Sequence, residues 1–309
     1  MDGVAPVAAP HRLIAIVGPT ASGKSALALS VAAAHGGEIV SCDSLQVYRG
    51  LDVGSAKPGP EERGAVTHHL LDVVDPDQDF SAALYARLAR EAVRDVTTRG
   101  RLPIVAGGTG LYLRALLRGL FAGPARDWDL RRRLETVAAR RGDAALHRLL
   151  ARVDPVAAAR IHARDRVRVV RALEVFRASG RRLSAHHETG TDALEGYRWL
   201  IVGLAPPRDL LRRAVEARTA AMLAAGLVEE TRGLLERYPG QPRPLHAIGY
   251  RQAAAVVRGT QTVEEAQRDM VKDTMRYAKR QMTWFRHQED VRWCAGTEEA
   301  RRAIAEWLS

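Results

Sequence analysis

Eight consecutive residues, GPTASGKS (Gly18, Pro19, Thr20, Ala21, Ser22, Gly23, Lys24 and Ser25), set the chemistry open to this chain. The pattern G-x-x-x-x-G-K-[ST] makes a loop whose backbone N–H groups, at the mouth of a helix, cradle phosphate oxygens. Its lysine meets the terminal phosphate and its last hydroxyl a Mg²⁺ ion. A phosphorylated ligand therefore binds here, to be transferred from, hydrolysed around, or expelled as a leaving group. A second reactive group follows in SCDSLQVYRG, where Asp43 stands just beyond an apolar run. A carboxylate there can hold Mg²⁺, take a proton from an incoming nucleophile, or cap the turn that follows.

These residues need elements to position them. Residues 13–17 (LIAIV) are an unbroken apolar run, which predicts a buried strand, and residues 24–35 carry Leu27 and Val31 at helical spacing before a Gly36-Gly37 stop. Further strands are expected over 38–41, 102–106 and 199–207, separated by helical stretches. That alternation predicts an α/β fold, a parallel sheet flanked by helices, with ligands outside the carboxyl ends of its strands. The polar clusters SCDSLQVYRG and GGTGLY fall at two such ends.

From about 127 to 180 the texture turns to Arg- and Ala-rich helices, read as an inserted all-helical subdomain. The organisation expected is a disordered tail over 1–11, a core over 12–122 and 190–309, and an insertion over 123–189. A last long helix is predicted over 263–285. Its helical wheel places Val263, Ala266, Met270, Tyr277 and Trp284 on one side, and Lys272, Arg276, Lys279 and Arg286 opposite. One face packs on the core; the other is a row of cations suited to a phosphate backbone.

The chain has 309 residues and a formal net charge of +11, with 47 basic residues of which all but four are arginine. Such an excess points to a polyanionic partner, although an arginine bias can also follow from genome composition. Two cysteines, Cys42 and Cys294, exclude a disulfide scaffold and suit a reducing cytoplasm. No run of about 18 apolar residues is present to span a membrane, and the N-terminal stretch lacks the layout of a signal peptide. The adjacent pairs His68-His69 and His186-His187 lack a third ligand and read as structural.

In order along the chain, GPTASGKS, DSLQVYRGLDVGSAKP, HHLLDVVDP, AGGTGLYLRALLRGL, DRVRVVRALEVF, HAIGYRQ and MRYAKRQMTWFR resemble the tRNA dimethylallyltransferase family, in its bacterial form without a zinc-finger extension. The resemblance implies a P-loop NTPase-like core and a diphosphate that departs as leaving group: dimethylallyl diphosphate alkylates N6 of the adenosine at position 37, beside the anticodon, in tRNAs reading codons that begin with U. It assigns the general base to Asp43, the donor site to residues 20–25 with Lys24 as a catalytic group, and a Mg²⁺ to Ser25. It places substrate contacts at Asp43, Ser44, Leu45 and Gln46, and further tRNA contacts at Thr109, Arg131, Val167, Arg168, Val169, Val170 and Arg171. The remaining contacts it implies are His246, Ala247, Ile248, Gly249, Tyr250, Arg251 and Gln252, then Thr274, Met275, Arg276, Tyr277, Ala278, Lys279, Arg280 and Gln281. Tyr250 suits base stacking and core packing alike. A cytoplasmic monomer free of membrane is expected. An adenylate prenyltransferase, a P-loop kinase with an Arg-rich lid, and a non-catalytic RNA-binding protein remain as competing readings.

Overall fold

The structure is a computed structural model, described for residues 10–121, 123–124, 127–186 and 192–309. Residues 1–9 of the tail expected over 1–11, and His187, lie outside the described residues. His11, expected in the tail, opens the first strand.

Among the described residues six strands make one sheet: β1 (His11–Val17), β2 (Gly37–Cys42), β3 (His68–His69), β4 (Leu102–Gly107), β5 (Tyr197–Leu204) and β6 (Arg292–Cys294). Their order is β3-β2-β4-β1-β5-β6, and every pairing is parallel. The central strand explains its own sequence. Leu13, Ala15 and Val17 of β1 enter the core on one face, and Ile14 and Ile16 the core on the other. A strand covered on both faces reads as a continuous apolar run because neither side tolerates polar atoms.

Helix Lys24–His35 buries Leu27, Ala28, Val31 and Ala32 and ends where Gly36 takes a left-handed φ of 61°. Gly37 then lets β2 approach β4, since a Cβ there would sit 2.7 Å from Ile104 Cδ1. After β5 come two helices, Arg208–Ala224 and Leu227–Arg237, parted at Gly226 with φ 92°. The long helix runs Val263–Gln288 and is not the last element. β6 follows it and pairs with β5, and helix Thr297–Leu308 packs Ala300, Ala303 and Ile304 on the sheet face that holds Ile14 and Ile16.

The chain divides into two compact units, residues 1–117 with 194–309, and residues 118–193. The second unit is helical, with its own core of Leu134, Ala138, Leu146, Leu150, Val169, Val170 and Leu173.

Candidate active site

The loop after β1 is held from outside itself. Thr20 N donates to Gln281 Oε1 at 3.0 Å, and Gln281 Nε2 donates to Gly108 O at 2.9 Å, so one buried glutamine of the long helix clasps the loops after β1 and β4. Gly18 has φ 145°, and a Cβ there would meet Leu204 O at 2.8 Å. Ala21 holds φ 63°, a left-handed conformation that a non-glycine residue adopts only at a cost. Lys24 Nζ donates to Pro19 O at 3.1 Å, folding over the loop. Its ammonium is enclosed, and burial together with the nearby Arg218 guanidinium lowers its pKa from 10.5 to about 8, against an opposing pull from Asp43. Ser22 Oγ is buried with no hydrogen-bond partner among the described residues.

Asp43 begins the turn after β2. Its Oδ1 accepts from Leu45 N at 2.8 Å and from Gln46 N at 3.4 Å, so the turn-capping role expected of it is real. The other oxygen, Oδ2, has no hydrogen-bond partner among the described residues. The loops after β2 and β4 are zipped together: Ser44 N donates to Thr109 Oγ1 at 3.1 Å and Thr109 N to Cys42 O at 3.2 Å. Thr109 thus spends its side chain on Ser44. Cys42 is buried, with Sγ 3.6 Å from Thr109 O, and burial pushes its thiol up to about 12, which keeps it out of the chemistry.

Beyond the turn, Gln46 is fixed in one orientation. Its Oε1 accepts from Ser41 Oγ at 2.9 Å and its Nε2 donates to Ala56 O at 3.2 Å. The loop carrying Ala56 is itself clamped by Glu230, whose carboxylate accepts from the backbone of Asp52, Val53 and Gly54 at 3.1, 2.8 and 3.2 Å and from Tyr250 Oη at 2.7 Å. Tyr250 is fully buried and its ring fills the space a side chain at Gly54 would take, which settles its role as core.

A cavity of about 380 Å³ collects Thr20, Asp43, Ser44 and Leu45 with Gly54, Ser55, Arg218, the segment 246–249, Arg251, Thr274, Tyr277 and Arg280. Val215, Met222 and Met270 add apolar wall. Tyr277 is held neutral, its pKa raised to about 12 by burial and then by Asp43. Sequence reasoning missed Arg218. It donates to Ser55 O at 3.4 Å, and burial lowers its pKa while Asp43 opposes that. It stands as one arginine among many in a helix with no motif, and only the packing of that helix brings it to Asp43.

Several of the expected contacts lie outside this cavity. Ala278 and Gln281 of the long helix are buried, the first against Leu211 and Val215. Gln252 is buried too, its Oε1 accepting from Gly249 N at 2.9 Å and its Nε2 donating to Asp273 at 3.0 Å. Met275, Arg276 and Lys279 line a separate groove. In the helical unit, Val169 and Val170 are core and expose nothing to a partner. Arg131 and Arg171 both bind Glu174, at 2.8 and 2.6 Å. Val167 and Arg168 are exposed. His69 pairs with Glu38 at 2.7 Å and His68 with Val66 O at 2.8 Å, consistent with structural roles.

A family model described as IPP transferase matches residues 46–288. The chain belongs to the IPP transferase family. The tRNA dimethylallyltransferase of Geobacter metallireducens is 52% identical to it over 283 residues, covering 91% of this chain and 92% of that protein. That of Koribacter versatilis is 48% identical over 294 residues, covering 95% and 96%. Among solved structures, the tRNA isopentenylpyrophosphate transferase of Bacillus halodurans superposes with a TM-score of 0.70 at 36% identity, over 96% of this chain and 95% of that one. A eukaryotic dimethylallyltransferase acting on tRNA gives a TM-score of 0.77 at 26% identity, over 96% of this chain and 78% of that one. These likenesses bear out the P-loop NTPase-like α/β fold of the IPP transferases for this chain.

Proposed function

We propose that this IPP transferase moves a dimethylallyl group from dimethylallyl diphosphate to N6 of adenosine 37 in tRNA and releases diphosphate. The observation that carries the reading is Asp43, its Oδ2 unengaged, sharing one cavity with Thr20 of the phosphate loop and with Arg218. A base, a phosphate binder and a half-buried cation converge on a space large enough for a flipped base and a short prenyl chain. The family relatives support the substrates.

The diphosphate sits in the loop, where its oxygens meet the backbone N–H groups, Lys24 and Ser22 Oγ, whose buried hydroxyl has no partner among the described residues. The adenine is extruded from its loop into the cavity, as enzymes that act on a base require. N6 attacks the allylic carbon, the C–O bond to diphosphate breaks with its electron pair on oxygen, and the N6 proton passes to Asp43 Oδ2. Lys24 and Arg218 stabilise the charge gathering on the leaving group. Gln46, its amide engaged at both ends by Ser41 and Ala56, fixes the turn that carries Asp43.

Ser25 is exposed in the first turn of its helix, and no three His, Cys, Asp or Glu side chains come together as a metal site among the described residues. The Ser25 hydroxyl, an oxygen donor, fits Mg²⁺, which binds through few protein oxygens together with substrate phosphates and water. Bound there by Ser25, it supplies charge neutralisation of the diphosphate. The reading implies work in the cytoplasm; among the described residues no helix is long and apolar enough to cross a membrane.

The test is mass spectrometry of nucleosides from unmodified tRNA incubated with the protein, Mg²⁺ and dimethylallyl diphosphate, with AMP and ATP controls. N6-dimethylallyladenosine in the tRNA is expected. Modified AMP with untouched tRNA would sink the assignment of tRNA as acceptor.

A further inference from the structure

Arg218 and Gln46 both serve the Asp43 site, and both lean on one short loop. Among the described residues the one hydrogen bond of Arg218 runs from Nη2 to Ser55 O at 3.4 Å. Gln46 Nε2 donates to Ala56 O at 3.2 Å and reaches Ser55 O at 3.5 Å. Residues 52–56 thus supply the carbonyls that aim a cavity arginine and the amide beside Asp43.

The loop needs outside support to keep that shape. Ala56 has a left-handed φ of 46°, which a non-glycine residue adopts only at a cost. Gly54 lies against the Tyr250 ring, where a Cβ would come within 2.4 Å of Cζ. The N–H groups of Asp52, Val53 and Gly54 converge on the Glu230 carboxylate, the first two on Oε2 and the third on Oε1. Oε1 also accepts from Tyr250 Oη, and burial followed by Glu230 raises the tyrosine pKa, so it stays a donor. Lys57 pairs with Asp52 and Asp72 at the outer end of the loop, but an ammonium offers no acceptor to the three N–H groups. Those depend on Glu230.

We infer that Glu230 is a positioning residue for the prenyl transfer, acting through residues 52–56 to hold Arg218 in the cavity with Asp43, an inference that rests on the function proposed above. Glu230 does not itself line the cavity. It fixes Ser55 O, and through it the direction of a long side chain whose charge stabilises the leaving diphosphate. Small misplacement of such a group costs up to about 10²-fold in rate.

The test is a double-mutant cycle on the single-turnover rate of tRNA prenylation at saturating donor, with the full chain as wild type, Glu230→Gln, Arg218→Ala and the double variant. Glutamine has the shape of Glu230, but whichever way it flips its NH₂ group is turned towards donors. Glu230→Gln is expected to slow wild type roughly 10- to 100-fold and the Arg218→Ala protein less than about threefold, because the group it positions is already gone. Tyr250→Phe leaves the three backbone hydrogen bonds in place and should cost only about two- to fivefold. Melting curves check folding, and Glu230→Asp, which draws the charge back from the loop, replaces Glu230→Gln in the cycle if the glutamine variant does not fold. Equal losses in both backgrounds would make Glu230 a structural clamp alone and overturn the inference, with the proposed function left standing. Absence of prenylated tRNA from wild type would overturn the proposed function and the inference together.

Discussion

Asp43 uses its two oxygens differently, and substitution can separate them. Oδ1 caps the turn through Leu45 N and Gln46 N, whereas Oδ2 takes no hydrogen bond among the described residues of a side chain that lines the cavity. Asp43→Asn keeps an oxygen for the turn but cannot take a proton, so single-turnover rates should fall about 10²- to 10⁴-fold with little change in melting temperature. Asp43→Ala should match that rate loss and also cost about 0.5–2 kcal/mol in a denaturant titration, the usual worth of such a cap. A slow but otherwise unchanged Asn variant is the result that marks Asp43 as a base. Lys24 gives a pH signature. Burial and Arg218 bring it to about 8, so the free protein loses this cation as pH rises through about 8. The kcat/KM for dimethylallyl diphosphate should decline above that pH, measured by initial rates at low donor. Stability should move the other way. Between about 8 and the ordinary 10.5 the unfolded chain binds more protons, so this group's contribution to stability rises with pH across that window.

At the scale of elements, the site is a seam between the carboxyl ends of β2 and β4. Gly107, the last residue of β4, allows that closeness: a Cβ there would lie 2.1 Å from Cys42 O, a backbone atom that cannot rotate away. Gly107→Ala should force the two strand ends apart, destabilise by about 1–3 kcal/mol, and lower turnover because Asp43 follows Cys42 directly. Thermal melting and initial rates check both, and a variant with native turnover would show that the spacing of the seam does not set the base. The same seam shows why Thr109 and Gln281 act as fasteners. Each satisfies backbone groups of a loop that has left the sheet, and buried backbone polar groups demand such partners.

The whole molecule joins a sheet unit that carries the reaction cavity to a helical unit with a core of its own. In the helical unit Glu174 is fully buried and takes hydrogen bonds from Arg131, Arg171 and the backbone of Asp127. Burial alone would raise its pKa, but the arginines, followed by Asp127 N–H, outweigh it and hold the carboxyl down to about 2. The stability this gives is present above the ordinary value of 4.5 and is lost as pH falls towards about 2. Hydrogen exchange of residues 127–186 should therefore accelerate in acid before the sheet unit opens. Glu174→Gln should cost about 3–5 kcal/mol at neutral pH, since it leaves two arginines without their buried partner. Equal exchange of both units across that range would remove Glu174 as the keystone of the helical unit.

Some of this was present in the amino-acid string itself. A phosphate loop is contiguous and needs only its flanking strand and helix, so GPTASGKS, the strand at β1 and the stop at Gly36 were all readable from local sequence. So was the buried parallel sheet, because strands covered on both faces carry unbroken apolar runs. The short strands β3 and β6 were not, since two or three residues hold no periodicity and pair only because a neighbour offers an edge. Helical spacing put Val263, Ala266, Met270, Tyr277 and Trp284 on the core side of the long helix; the structure buries Ala266 and Met270, half-buries Tyr277 and Trp284, exposes Val263, and buries Ala278, Gln281 and Phe285 as well. Hydropathy cannot foresee a buried glutamine whose value lies in satisfying Thr20 N and Gly108 O, far away in sequence. Arg218, Glu230 and Glu174 belong to the same class. Their identities are written in the chain, but their partners are assigned only when helices pack and bury charges that must then be matched.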